Sequence, residues 1–233
     1  MALPPDHAAS LMAVIYLVRH AQASFRRTDY DQLSPQGEQQ ATVLGKALLA
    51  RGVTADLVLR GSMRRHAQTA ALALAEATAE EDKGFDEFDH TELVVAHKPA
   101  YKRRAVMLAD LSRTGHPERA FQQMFTAATQ RWVEGGGGYT ETFRAFCDRS
   151  EAAVRRTAER LGKGETAVVF TSGGPIAAVV SRLLSGSDEL WSRLNPITIN
   201  TAITKVVSGR SGLTVVSYNE HGHLDGSELL SYR

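Results

Sequence analysis

A histidine, two arginines and a pair of glycines lie just past the ends of three apolar runs. Val14-Ile15-Tyr16-Leu17-Val18 is followed at once by Arg19 and His20. Leu57-Val58-Leu59-Arg60 leads through Gly61-Ser62-Met63 to Arg64 and Arg65. Ala167-Val168-Val169-Phe170 leads into Thr171-Ser172-Gly173-Gly174-Pro175. A guanidinium offers a planar fork of N–H donors that fits a phosphate, and a neutral imidazole is a nucleophile or a proton carrier. Glycines let a backbone approach a ligand closely, and a helix opening there turns free N–H groups toward an anion. The chemistry these groups could share is phosphate binding beside a nucleophile. Taken singly, each exit also fits an ordinary strand followed by a polar loop.

The elements around them decide whether they meet. Continuous apolar runs rich in β-branched residues fit central strands buried on both faces, which belong to parallel sheets. In open α/β sheets ligands bind beyond the carboxyl ends of the strands, and the exits of adjacent parallel strands share one edge. Arg65 is therefore expected to converge with Arg19 and His20. Ser34-Pro35 opens a helix whose Leu44, Ala47, Leu48 and Arg51 recur at helical spacing, and Gly52 closes it. A second helix is expected from about residue 64 to Thr78. The acidic stretch from Glu80 to Glu92 reads as solvated loop or edge positions, and a basic helical stretch follows from Ala100 to Glu134. Gly135 to Gly138 form a hinge, Tyr139 to Leu161 an amphipathic helix, and Ile176 to Leu184 an apolar one. Strands are expected near 14–19, 56–60, 166–171, 199–207 and 213–218, the last two joined as a hairpin at Ser208 to Gly212. A sixth strand has no assigned place.

Composition narrows the class. The chain has 233 residues, 43% apolar and 23% charged, which excludes disordered and fibrous proteins. Its formal charge of +1 creates no field that would draw it to nucleic acid or an anionic membrane. Cys147 is the single cysteine, so no internal disulfide forms, as expected of a reducing compartment. Residues 1–12 read as a loose leader. They lack the basic start of a signal peptide, and no segment has the length of a bilayer span, so a cytoplasmic protein is expected. No metal and no cofactor is expected: His221 and His223 alternate on one face but lack a third ligand. His66 adjoins Arg65 but points about 100° away on a helix, so the two are not expected to face the same ligand squarely. His90, His97 and His116 read as surface residues, and Trp132 and Trp191 as packing residues.

In order along the chain come Val18-Arg19-His20-Ala21-Gln22, Leu33-Ser34-Pro35-Gln36-Gly37-Glu38, Arg65 with Gln68-Thr69-Ala70, Asp86-Glu87-Phe88-Asp89-His90, Asn200-Thr201-Ala202-Ile203-Thr204, and the late His223-Leu224. With these six pieces the chain resembles the histidine phosphatase superfamily, of phosphoglycerate-mutase-like fold, over nearly its whole length. The resemblance implies a nucleophile at His20, phosphate ligands at Arg19 and Arg65, and an acid at Glu87. Two positions depart from the pattern. Ala21 stands where glycine is commoner, and Ser172 stands where the family carries a second histidine after the fourth core strand. The Ser172 hydroxyl and the N–H groups beginning at Gly173 remain donors to a phosphoryl oxygen, and Gln22, Arg26 and Asn200 are candidates for substrate contact.

The expected fold is one α/β domain over 1–233, three layers deep, with a mostly parallel sheet of about six strands. A helical insertion at about 95–135 is expected to form a cap that selects the substrate. The expected function is hydrolysis of a small phosphorylated metabolite through a phosphohistidine. Losing one donor typically costs on the order of 10²–10³ in rate, so Ser172 predicts a slow or selective phosphatase. The alternatives are a catalytically silent phosphate-binding or adapter protein and, with less support, a mutase. A homodimer is the expected assembly if one forms.

Overall fold

In the computed structural model, which describes residues 12–24 and 31–232, each apolar run is a strand of one mixed sheet. Residues 1–11 of the expected leader, and Arg26, lie outside the described residues. The chain divides into two compact units, Met1–Glu87 with Arg149–Arg233, and Phe88–Asp148. Among the described residues no helix is long and apolar enough to cross a membrane.

The first unit holds the sheet. Its strands are β1 (Ala13–Arg19), β2 (Leu57–Arg60), β3 (Glu80–Glu81), β4 (Thr166–Thr171), β5 (Ile203–Gly209) and β6 (Gly212–Glu220), in the order β3-β2-β4-β1-β5-β6. The first four are parallel and the last two antiparallel. Alternation along β1 and β4 sends side chains to two cores. Ile15, Leu17, Ala167 and Val169 pack with Ala153 and Val154 of α6 (Phe143–Arg160) and with Ile176, Val179 and Val180 of α7 (Gly173–Ser185). Val18, Val168 and Phe170 pack with Leu44 and Leu48 of α1 (Pro35–Ala50) and Ala70 and Ala73 of α2 (Arg64–Ala73). Helices on both faces make the three layers, and burial on both sides explains why the central strands lack polar alternation.

The boundaries differ from the sequence expectation where the chain must turn. The strand expected from 199 begins only at Ile203, because Thr201 adopts a left-handed backbone with φ 59° that no strand accepts. Helix α2 stops at Ala73 instead of Thr78, and the chain returns to add β3 beside β2, so the sixth strand falls in the acidic stretch.

The second unit is helical: α3 (His90–His97), α4 (Arg104–Ser112), α5 (Pro117–Val133) and the start of α6. Pro117, fit only for a first turn, starts a new helix within the helical stretch expected from about 100 to 134. The next helix opens at Phe143, not Tyr139. The core of this unit is aromatic: Trp132 lies 4.9 Å from Phe88, 5.1 Å from Phe143 and 5.4 Å from Phe146. His90 is half-buried, edge-on to Phe88 and Phe125, which corrects its reading as a surface residue.

Helix α1 packs directly on the loop that leaves β1. Ser34 caps it, its hydroxyl accepting from the Gly37 N–H at 3.0 Å, and Pro35 fills the first turn. Gly37 lies so close to the loop after β1 that a Cβ there would stand 2.1 Å from the Gln22 carbonyl oxygen. The helix and the loop can touch only through a glycine. Ser34→Ala should therefore cost about 1 kcal/mol, whereas Gly37→Ala should cost about 1–3 kcal/mol and disturb the loop as well. Urea denaturation of the two variants against wild type measures both.

Candidate active site

The side chains that the sequence singled out meet at the carboxyl ends of β1, β2 and β4, all within the first unit. His20 follows β1 and is 7% exposed. Its Nδ1 lies 2.7 Å from the Ala21 carbonyl oxygen. A carbonyl only accepts, so Nδ1 carries the proton and the lone pair is left on Nε2. The backbone around it is held from four directions. His20 N–H donates to Thr171 of β4 at 2.8 Å, and the His20 carbonyl accepts from Asn200 Nδ2 at 3.0 Å. Ala21 N–H donates to Thr69 Oγ1 of α2 at 3.0 Å, and Gln22 N–H to Gln40 Oε1 of α1 at 2.8 Å.

Arg19 and His20 are neighbours in sequence, but strand alternation parts their side chains. Arg19 turns toward α7: a Cβ on Gly173 would stand 3.7 Å from its Nε. Its Nη1 donates to the Thr198 carbonyl and, at 3.0 Å, to the Tyr232 carbonyl. Arg65, in the first turn of α2, is 6% exposed. Its Nη1 meets the Asp31 carboxylate at 2.8 Å, while its buried Nε has no hydrogen-bond partner among the described residues. Such an orphaned guanidinium N–H calls for an anionic acceptor. Glu87 Oε2 accepts from the Gly174 N–H at 3.2 Å, so a carboxyl stands at the opening of α7.

Ser172 is fully buried at the N-cap of α7, yet its hydroxyl makes no capping bond. Its Oγ lies 2.8 Å from His66 Nε2. His66 is fully buried and its ring centroid is 5.6 Å from that of His20. Arg65 and His66 are not expected from the sequence to face one ligand squarely, and the sequence reading does not place His66 beside His20, where it lies. Successive helical residues do diverge by about 100°, but the site wraps around the start of α2, so Arg65 and His66 approach from different sides. The signal available in the sequence was Ser172 itself: a small side chain at a convergence of strand exits leaves volume for another element to fill.

Other candidates divide. Asn200 is fully buried and both ends of its amide are engaged, Nδ2 on His20 and Oδ1 accepting from Ser231 at 3.0 Å. It holds backbone and does not face a ligand, which corrects its reading as a substrate contact. Gln22 is half-buried with Oε1 accepting from Ser34 at 2.7 Å. Thr69, Gln40 and Asp31 went unnoticed as site residues in the sequence because their work is done through backbone or through another side chain. His223 bonds Thr201 Oγ1 at 3.1 Å and His221 bonds the Asn219 carbonyl at 2.7 Å. Among the described residues no group of three or more His, Cys, Asp or Glu could hold a metal.

Burial holds the His20 imidazole well below its ordinary pKa, helped by the charges of Arg65 and Arg19 and by His66. Burial does the same to His66, with Arg65 and Arg60 adding to it. Both rings are neutral at pH 7. The arrangement offers an imidazole lone pair, two guanidiniums, a helix N-terminus and a carboxyl around one small volume.

The sequence profile described as the histidine phosphatase superfamily (branch 1) matches residues 15–221. No curated protein matches the chain. Among solved structures the chain is similar to phosphoserine phosphatase from Entamoeba histolytica in complex with 3-phosphoglyceric acid, with TM-score 0.64 and 16% identity over 91% of this chain and 100% of that one. It is similar to phosphoglycerate mutase from Bacillus anthracis str. Sterne, with TM-score 0.63 and 18% identity over 94% and 98%. It is also similar to mycobacterial glucosyl-3-phosphoglycerate phosphatase bound to VO3, with TM-score 0.60 and 20% identity over 89% and 99%. At these identities the likeness is one of fold.

The two imidazoles of the site, buried neutral, and His223, held down to about 4 chiefly by burial, make stability depend on pH. Their folded values lie below the unfolded value of about 6.5, so as pH falls the unfolded chain takes up protons first. Stability is level above about pH 7 and declines below about pH 6.5, by at most about 1.4 kcal/mol per pH unit for each ring. Denaturation midpoints between pH 7.5 and 5 should show the decline, and His66→Gln should make it shallower.

Proposed function

The chain belongs to the histidine phosphatase superfamily, and from that membership we propose that it is a phosphomonoesterase acting on a small phosphorylated metabolite through a phosphohistidine at His20. The observation that carries this reading is the state of the His20 ring. It is neutral among arginines, with Nδ1 fixed on the Ala21 carbonyl and the lone pair on Nε2.

In the first step Nε2 attacks phosphorus as the bond to the leaving oxygen breaks, and the Glu87 carboxyl gives that oxygen its proton. Arg19, Arg65, the Ser172 hydroxyl and the opening N–H groups of α7 hold the phosphoryl oxygens, where charge gathers in the transition state. In the second step water attacks the phosphohistidine. Glu87, now a carboxylate, takes the water's proton, the phosphorus–nitrogen bond breaks, and inorganic phosphate leaves with His20 neutral again. The scheme uses only groups of this chain. Support for a small substrate comes from the similar structures, whose names refer to phosphoserine, glucosyl-3-phosphoglycerate and phosphoglycerate.

Phosphate release from an aryl phosphate and a panel of phosphorylated metabolites tests the reading. His20→Ala should abolish turnover, and Arg65→Ala should lower kcat by on the order of 10²–10³. Glu87→Gln should slow alkyl phosphates, whose leaving oxygen needs a proton, far more than aryl phosphates with good leaving groups. A wild type that binds phosphate but releases none from any compound would be a binding protein instead.

A further inference from the structure

We propose that Thr171 and Asp86 are positioning residues for Glu87: by anchoring the two residues that precede it, they hold its carboxyl where the leaving oxygen needs a proton. The proposal rests on the phosphatase reading of the site. Glu87 is the group that touches substrate; the other two act through its backbone.

Glu87 lies just beyond a 3₁₀ turn, Lys83–Phe85, in irregular backbone that no strand or helix fixes. A general acid must stand within hydrogen-bond reach of the atom it protonates, so something else has to set the place of this backbone. Side chains from two strand exits set it. Phe85 is buried in the core with Val169 and Ile176, and its carbonyl accepts from Thr171 Oγ1 at 2.6 Å. The Asp86 carboxylate accepts at the β2 exit with both oxygens, from the Ser62 N–H and from Ser62 Oγ, each at 2.6 Å. Arg149 of α6 supports the same turn, its Nη1 donating to the Asp86 carbonyl at 2.7 Å and to the Gly84 carbonyl at 3.1 Å.

Thr171 ties the acid to the nucleophile. Its carbonyl accepts from the His20 N–H at 2.8 Å while its hydroxyl holds the acid loop, so one residue of β4 sets both partners of the first step. The chain it leads into reaches Glu87 a second time, where the Gly174 N–H donates to Oε2 at 3.2 Å. Backbone and carboxyl are thus both referred to the β4 exit. Thr171 is 1% exposed, and without its hydroxyl the Phe85 carbonyl loses its donor where water does not replace it. Leaving such an acceptor unpaired is costly, and the loop avoids the cost only by shifting. A shift of about 1 Å at a reacting group costs on the order of 10² in rate.

The test is kcat/KM, which covers binding and transfer to His20, on phosphomonoesters graded from good aryl to poor alkyl leaving groups, with melting temperatures for every variant. Thr171→Val keeps the shape and removes the donor. It should lower kcat/KM on alkyl phosphates on the order of 10–10²-fold, and on aryl phosphates with good leaving groups by less than about threefold. Asp86→Ala should steepen the dependence on leaving group in the same sense, and carries the comparison alone if Thr171→Val does not fold. Thr171→Ser retains the hydroxyl and should restore the wild-type pattern. In the Glu87→Gln background neither substitution should cost anything further. Losses equal for every leaving group, losses that multiply with Glu87→Gln, or wild-type rates in both variants would overturn the proposal. If the wild type turns over no phosphomonoester, the phosphatase reading falls, and the NMR shift of the Gly174 amide decides the placement of Glu87. A shift that differs between wild type and Glu87→Gln, and moves toward the Glu87→Gln value in Thr171→Val and Asp86→Ala, supports it. The wild-type shift in both of those variants, or no difference between wild type and Glu87→Gln, overturns it.

Discussion

Three residues of backbone, His20 to Gln22, carry the constraint on which the site depends. Their N–H groups go to Thr171, Thr69 and Gln40, and two of their carbonyls accept from Asn200 and from the His20 ring itself. The partners come from β4, α2, α1 and the turn before β5, so both the sheet and the α1/α2 layer have a hand on the loop. A buried loop must satisfy its own polar groups without a strand partner. Here that requirement and the aim of the His20 ring are met by the same bonds. Gly37 adds the steric half of the constraint, since α1 presses against Gln22 too closely for any side chain.

Electrostatics follow from the fold. Strand exits bring Arg19 and Arg65 to one edge, and the burial of Arg65 and His20 removes water that would screen the charge between them. A neutral His20 is the cheapest state of an imidazole in that field, and it is also the nucleophilic state. Asp31 balances part of the charge at Arg65, and the buried Nε of that arginine is left for an anion. The same cause, desolvation among cations, both lowers the imidazole pKa and makes a phosphate dianion welcome.

The serine after β4 changes its meaning once His66 is seen beside it. Read alone, Ser172 is a small polar residue at the exit of β4. In the folded chain an imidazole occupies the adjoining space, delivered from α2 and admitted by Gly61.

The sequence by itself determined the elements whose signals are local: β1 and β4 as continuous apolar runs, α1 from its Ser-Pro start and its closing glycine, and the exits carrying Arg19, His20 and Arg65. Local chemistry suffices there, because burial on both faces dictates apolar runs and helix ends dictate caps. The tertiary structure alone decided the rest. Thr201 breaks the expected strand because its backbone must turn to bond Arg19, the two-residue β3 exists only as an addition beside β2, and Asn200 faces backbone because the His20 carbonyl needs a donor. His66 was misjudged for the same reason. The angle between successive helical residues is local, but where the site lies around that helix is set by the strands that surround it.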